Sequence, residues 1–328
     1  MRVAFVIDAL DSLDPSIDTS VGLMHAVQDR GLEVWATDAL SISVIDGRAR
    51  ARARRVALAP SVRANGHRWT VPEPWCAVDT SVNVWLDEMG AVFMRTDPPV
   101  DETYLNATFV LDLVDRTRTA MVNDPRGLRA YNEKLYALRF TDLVPQTIVT
   151  ADAAIILGFV ADHGRAVVKP IDGYAGHGVL QLVEGDPNLR SLIEVSTRDG
   201  RRAVVVQRYL EEVTDGNKRL FVLDGVPTAA VFRYPADGDF RIGNPTAEAP
   251  ITDRDREICS RLAPSLARHG LRMVGLDVIG PWLIEVNVTS PGALRKADAL
   301  LGTTLCADLV DAVVIAPVAA GSREGGSE

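Results

Sequence analysis

The sequence predicts an α/β protein built in three parts: an open α/β domain over residues 1–122, a small α+β lid domain over 145–225, and a C-terminal α+β domain over 226–317. Three observations predict this. Residues 2–37 read strand, helix, strand, the start of an open sheet. From about residue 145 the pattern shifts to shorter strands around one helix. Residues 275–291 read as two buried strands joined by a Gly-Pro turn. Residues 123–144 then supply linking helices, and 318–328, rich in Gly, Ser and Glu, a disordered tail.

Each element has its own justification. Residues 2–8 form an apolar run that Asp8 ends, so a first core strand explains it better than a signal segment. A helix over 20–30 stops at Gly31, and a strand follows at 32–37. Arg48, Arg50, Arg52 and Arg54 alternate, which puts them on one face of a hairpin strand, read as a solvated or oligomer-facing edge. Turn formers and Trp residues make 61–75 a surface loop. A strand at 91–94 runs into Arg95-Thr-Asp-Pro-Pro, a loop at a strand's C-terminal end, where α/β sheets place ligands. A helix over 101–117 and a strand at 120–122 complete the first domain. The lid has strands at 146–149, 166–169, 179–183, 203–209 and 218–223 and a helix over 152–163.

Composition bounds the function. The chain has 328 residues, 47% hydrophobic and 24% charged, as a soluble enzyme would. A net charge of -9 argues against nucleic acid as a partner. No apolar run is long enough for a membrane span. Cys76, Cys259 and Cys306 are odd in number and far apart, and the histidines lack metal spacing. A reducing, cytoplasmic location follows.

The chemistry concentrates in two places. In the last hairpin, Glu285 and Asn287 lie two apart on one strand face, and Asp277 can reach that face from the neighbouring strand. Three oxygen donors without His or Cys suit a hard cation such as Mg²⁺, with Mn²⁺ as an alternative. A hydrogen-bonded polar cluster at a strand end would give the same pattern. Upstream, Lys169 ends a strand and is followed by Gly173, Gly176 and Gly178 before another strand. A point charge beside exposed backbone N–H groups is a phosphate-binding device, though a hairpin turn would read alike. Lys134 is a second phosphate candidate, or a solvated lysine. The segment Gln207, Arg208, Tyr209, Leu210 can offer backbone groups to an adenine edge, and Asp215 and Asn217 can reach a ribose. Arg219, Arg233 and Arg241 can oppose charge at a phosphoryl centre.

In this order the pieces resemble the ATP-grasp superfamily and, within it, the bacterial glutathione synthetases. The stretches that carry the resemblance are Met94-Arg-Thr-Asp-Pro-Pro, Asn132-Glu-Lys-Leu, Lys169-Pro-Ile-Asp-Gly, Glu184-Gly-Asp-Pro-Asn-Leu, Asp215-Gly-Asn-Lys-Arg, Gly275-Leu-Asp-Val-Ile-Gly and Glu285-Val-Asn-Val-Thr-Ser-Pro. The resemblance spans roughly residues 1–315. It implies ATP held between two β-layers, Mg²⁺ on Asp277, Glu285 and Asn287, and nucleotide-phosphate contacts from Lys134 and Lys169. It implies an acyl phosphate made from a carboxylate and ATP and attacked by an amine, with Arg219, Arg241 and Asn287 serving catalysis. Arg95, Arg233, Asn244 and Ser290 would bind the small-molecule acid and amine, and a homo-oligomer, dimer or tetramer, is the expected state.

The chain departs from the family's pattern on the substrate side. The loop Arg241-Ile-Gly-Asn-Pro-Thr-Ala-Glu lacks paired glycines and carries Glu248. Thr96 stands where relatives often have lysine, the 16–20 loop lacks its lysine, and Asn217 replaces an acidic residue. The loop 234–250, with Asp237, Gly238 and Asp239, should still close over the site. Glutathione synthesis is the leading expectation. A ligase for another acid and amine, and a nucleotide-binding protein without ligase activity, are the alternatives.

Overall fold

A computed structural model of the chain describes residues 1–64, 66–174, 176–235 and 238–315. Ala175, Asp237 and the expected disordered tail 318–328 lie outside the described residues. The first sheet contains β1 (Arg2–Val6), β2 (Glu33–Thr37), β3 (Ile42–Ile45), β4 (Arg48–Leu58), then, beyond the two-residue pair β5 (Val62–Arg63) and β6 (Trp69–Thr70), β7 (Cys76–Val78), β8 (Val82–Trp85), β9 (Ala91–Met94) and β10 (Ala120–Val122). Its order is β10-β9-β1-β2-β4-β3, with β7 and β8 also on β4. The strands β10, β9, β1 and β2 run parallel, as the opening strand-helix-strand pattern requires. Helices α1 (Thr19–Asp29) and α2 (Glu102–Leu111) contribute to different apolar clusters, so β1 is buried on both faces.

Three expectations are corrected here. β4 pairs with β2, β3, β7 and β8, so the arginine strand is no edge. Its other face, Ala49, Ala51 and Ala53, is buried, and small alanines gave too weak an apolar signal to reveal an interior strand. The region 61–75 is more than a loop: β5 and β6 pair, Trp75 is buried, and Trp69 Nε1 donates to the Arg295 carbonyl at 2.9 Å. α2 ends at Leu111, and Asp115 then accepts from Thr117 N at 2.9 Å in a side-chain-capped turn that competes with helix.

The lid sheet has the order β11-β14-β12-β13, from β11 (Thr147–Thr150), β12 (Arg165–Pro170), β13 (Leu180–Val183) and β14 (Val204–Arg208). Short helix α3 (Pro125–Ala130) precedes it, and α4 (Ala153–His163) and α5 (Leu189–Thr197) pack on it. Helix α5 escaped the sequence reading because its β-branched residues weaken the helix signal. Residues 217–223, grouped with the lid above, form β15 (Asn217–Leu223), which pairs with β16 (Val226–Pro235) and β18 (Met273–Ile279). That five-stranded sheet is completed by β17 (Ile242–Glu248) and β19 (Trp282–Asn287), in the order β17-β16-β15-β18-β19. Helices α6 (Asp253–Arg268), α7 (Leu294–Leu301) and α8 (Leu305–Val310) accompany it.

Burial divides the molecule differently from the chain. Val92 and Met94 of β9 share one cluster with Leu220 and Leu276 of the last sheet, and Phe5 shares another with Phe221 and Met273. The first and last sheets thus have a common core. The lid has its own, centred on Ile156, Val168, Ile193 and Val206.

Candidate active site

The hairpin β18–β19 turns at Gly280-Pro281 and pairs Asp277 directly with Glu285, and Gly275 with Asn287. Both carboxylates and Asn287 line one cleft of about 440 Å³ between the lid sheet and the last sheet. Lys134, Lys169, Gly173, Gly176, Gln207, Arg208, Tyr209, Leu210, Asn217, Arg219, Arg233, Arg241 and Ser290 line it too. Thus most of the residues singled out in sequence converge. Gly178, Asp215, Arg95 and Asn244 do not line it. Gly178, at φ +71, serves the loop: a Cβ there would lie 2.8 Å from Pro170 Cγ. Asp215 is exposed at the end of a short turn. Arg95 is 4% exposed and works behind the wall, donating to Ser20 Oγ at 3.2 Å and the Pro291 carbonyl at 3.2 Å. Asn244 accepts from Lys296 Nζ at 2.8 Å.

The electrostatics are those of a paired network. Arg219 Nε donates to Asp277 Oδ1 at 2.5 Å, and Arg233 approaches the same oxygen at 2.7 Å. Burial pushes the Asp277 carboxyl up, but Arg219 and Arg233 outweigh it and hold it well below the usual carboxylate range. Glu285 lies 3.4 Å from Lys134 Nζ, which also donates to the Gly173 carbonyl. Lys169 Nζ donates to Gln207 Oε1 at 2.8 Å. Burial, reinforced by Lys134 and opposed by Glu285, pushes its ammonium down to about 8. Asn217 Oδ1 accepts from Arg233 Nε at 3.1 Å, so it is spent on positioning that arginine. In the segment expected to face adenine, Arg208 N and Tyr209 N donate to Gln146 and Arg165 carbonyls at 2.9 and 3.2 Å. The Leu210 carbonyl is likewise engaged, accepting from Val213 N at 3.2 Å.

The donor set fits a hard divalent cation. Among the described residues no group of three His, Cys, Asp or Glu is disposed for a metal, so the third oxygen has to come from the amide. Asn287 Nδ2 donates to the Gly275 carbonyl at 3.0 Å, which leaves Oδ1 as its donor atom toward the cleft.

The mouth is formed by the glycine-rich loop and the segment before β17. A Cβ at Gly176 would lie 3.7 Å from Arg241 Cδ. Arg241 is held by Asp239 at 2.6 Å on the exposed rim. Much of the loop 234–250 is strand β17, paired with β16, instead of an open flap. Glu248 is exposed and faces away from the main cleft, so it adds no repulsion there.

A family model described as the prokaryotic glutathione synthetase N-terminal domain matches residues 1–129, and one described as the prokaryotic glutathione synthetase ATP-grasp domain matches 133–302. The chain belongs to the prokaryotic glutathione synthetase family. It is an ATP-using, ADP-forming carbon–nitrogen ligase of the ATP-grasp type that acts on small molecules. It is 47% identical to the glutathione synthetase of Nostoc sp. over 94% of this chain and 97% of that protein. It is 37% identical to that of Xanthomonas axonopodis pv. citri over 95% and 98%. Among solved structures, the ATP-grasp ligase PsnB bound to a precursor variant, Mg and ADP aligns with a TM-score of 0.61 at 20% identity, covering 96% of this chain and 97% of that one. The D-cycloserine synthetase DcsG aligns with a TM-score of 0.58 at 21% identity, over 93% and 100%. These likenesses establish the ATP-grasp fold. Among the described residues no helix is long and apolar enough to cross a membrane.

Three residues of consequence were missed in sequence. Glu133 accepts from Val288 N and Thr289 N, both at 2.9 Å, while its carbonyl accepts from Val286 N at 3.0 Å. It therefore grips the backbone on both sides of Asn287; it stood inside the quoted Asn132-Glu-Lys stretch, next to the lysine that drew attention. Asn123 binds the carbonyls of Met273 and Val288 and the N–H groups of Arg272 and Met273, all at 2.8–2.9 Å. Lys296, in the first turn of α7, lines the cleft. No local pattern singled out Asn123 or Lys296.

Proposed function

We propose that the chain condenses γ-glutamylcysteine with glycine to form glutathione, converting ATP to ADP and phosphate. The observation that carries this reading is the pairing of Asp277 with Glu285, beside Asn287, in one cleft with Lys134 and Lys169. Near-full-length identity of 47% to a relative named glutathione synthetase supports the substrates. Asp277, Glu285 and Asn287 would hold Mg²⁺, which when bound neutralises phosphate charge. Lys134 from the body and Lys169 from the lid attract the ATP phosphates. The dipeptide carboxylate attacks the γ-phosphorus, the bond from that phosphorus to the bridging oxygen breaks, and ADP leaves. The glycine amine then displaces phosphate from the acyl phosphate. Arg219, fixed by Asp277, presents a charge that needs no reorganisation. Arg241 joins it after leaving Asp239, an exposed pair that solvent and salt screen. Free cysteines, two of them buried, fit a cytoplasmic setting.

Steady-state release of ADP with γ-glutamylcysteine and glycine tests the reading. A kcat/KM on the order of 10⁴ M⁻¹s⁻¹ or more is expected. Turnover to AMP, or none with this pair while ATP still binds, would overturn it.

A further inference from the structure

The cations in the cleft are not equivalent. Arg219 and Arg233 are engaged by Asp277, Lys134 by Glu285 and Arg241 by Asp239. Lys169 is held on the lid wall by Gln207, and Arg208 stands over the Trp282 ring, also on that side. Lys296 is different in place and partner. It lines the opposite wall, just beyond Ser290-Pro291-Gly292-Ala293, and Nζ rests 2.8 Å from a neutral amide oxygen, Asn244 Oδ1.

We propose that Lys296 receives a non-reacting carboxylate of one of the two joined substrates, and so sets the preference for anionic partners. This rests on the ligase reading above. Both γ-glutamylcysteine and glycine carry such a carboxylate once the reacting group is set aside. The position is suited to it. Lys296 is on α7, whose Leu294 N donates to Thr19 Oγ1 at 3.2 Å and whose Ala297 and Leu294 side chains are buried, so the helix is fixed to the body. The ammonium projects from a rigid wall, on a side chain whose only assigned hydrogen bond among the described residues is to an amide. An amide oxygen is a weaker acceptor than a carboxylate, so an arriving carboxylate can take over or share that contact. Burial, with Arg68 and Arg233 nearby and Asp14 and Asp18 opposing them, pushes the ammonium down, and an incoming anion relieves that.

The test is a comparison of Lys296→Met and Lys296→Arg with the unaltered chain. KM is measured separately for γ-glutamylcysteine, glycine and ATP, with kcat and the melting temperature recorded alongside. Lys296→Met should raise KM for one of the two joined substrates about tenfold, as loss of a charged hydrogen bond does, and the affected substrate identifies the carboxylate. KM for ATP, kcat and melting should stay near those of the parent, and Lys296→Arg should restore most of the loss. Unchanged KM for both joined substrates, or an equal rise in KM for ATP, would overturn the assignment. If the unaltered chain turns over neither substrate, the ligase reading fails first and takes this one with it.

Discussion

Asp277 and Glu285 face each other across one strand pair, yet they do different work. Asp277 neutralises two buried arginines, whereas among the described residues Glu285 forms a single ion pair, with Lys134 at 3.4 Å. Removing Asp277 leaves Arg219 and Arg233 buried without their carboxylate. Asp277→Ala should therefore lower unfolding stability by about 3 kcal/mol as well as abolish turnover, read from urea melts. Glu285→Gln keeps an oxygen at the same place, so the fold should stay within about 1 kcal/mol of the parent while divalent-dependent ADP release disappears. Equal stability loss in the two variants would contradict this division. Lys169 adds a pH dependence. Its folded-state ammonium titrates near 8, below the 10.5 of an exposed lysine. The charged form is thus disfavoured by folding: the penalty is full below about 8 and fades as pH rises towards 10.5. ATP binding has the opposite slope, because phosphates attract only the protonated form. Affinity for ATP should fall as pH rises through 8, and binding near that pH should take up protons. Calorimetry in buffers of different ionisation heat measures that uptake, and Lys169→Met should remove it.

At the level of elements, β19, the strand that carries Glu285 and Asn287, is held at its far end by residues from other parts of the chain. β19 ends at Asn287, and the next peptide is gripped twice: Glu133 takes the Val288 N–H and Asn123 takes the Val288 carbonyl. Asn123 uses all of its amide capacity, two N–H donors and an oxygen accepting twice. The same side chain therefore ties the end of β10 to the start of β18 and the end of β19. Asn123→Ala strands three buried backbone groups and one half-buried one, and the expected loss of stability is about 3 kcal/mol, measured by chemical denaturation. If the variant melts like the parent, water has replaced the amide and the tie is dispensable. Local sequence could not reveal this. Asn123 follows a predicted strand and looks like turn chemistry, and its partners lie about 150 residues away.

Across the whole molecule, the sequence was legible where chemistry and local pattern coincide. The strands β1, β9 and β10 and the hairpin β18–β19 follow from apolar runs and their punctuation. The residues proposed for metal and phosphate, Asp277, Glu285, Asn287, Lys134 and Lys169, were singled out by residue type and spacing, and they line one cleft. What was illegible depended on long-range pairing. Nothing local says that Arg48-Ala-Arg-Ala-Arg-Ala is an interior strand, since alanine hides its burial. Nothing local assigns 217–223 to the last sheet, because that follows from partners at 226–235 and 273–279. Glu133 and Lys296 were overlooked because their roles come from what they touch across the fold. The separation of cores has a consequence of another kind, for inheritance. The body's chain leaves near Val144 and returns near Asn217, and the apolar cluster in between is built from lid residues alone. Changes at Val168 or Ile193 can be offset by neighbours within that cluster and need no answering change in the body. The two cores can therefore accumulate substitutions as separate ledgers of descent, and only the residues lining the cleft between them are obliged to change in step.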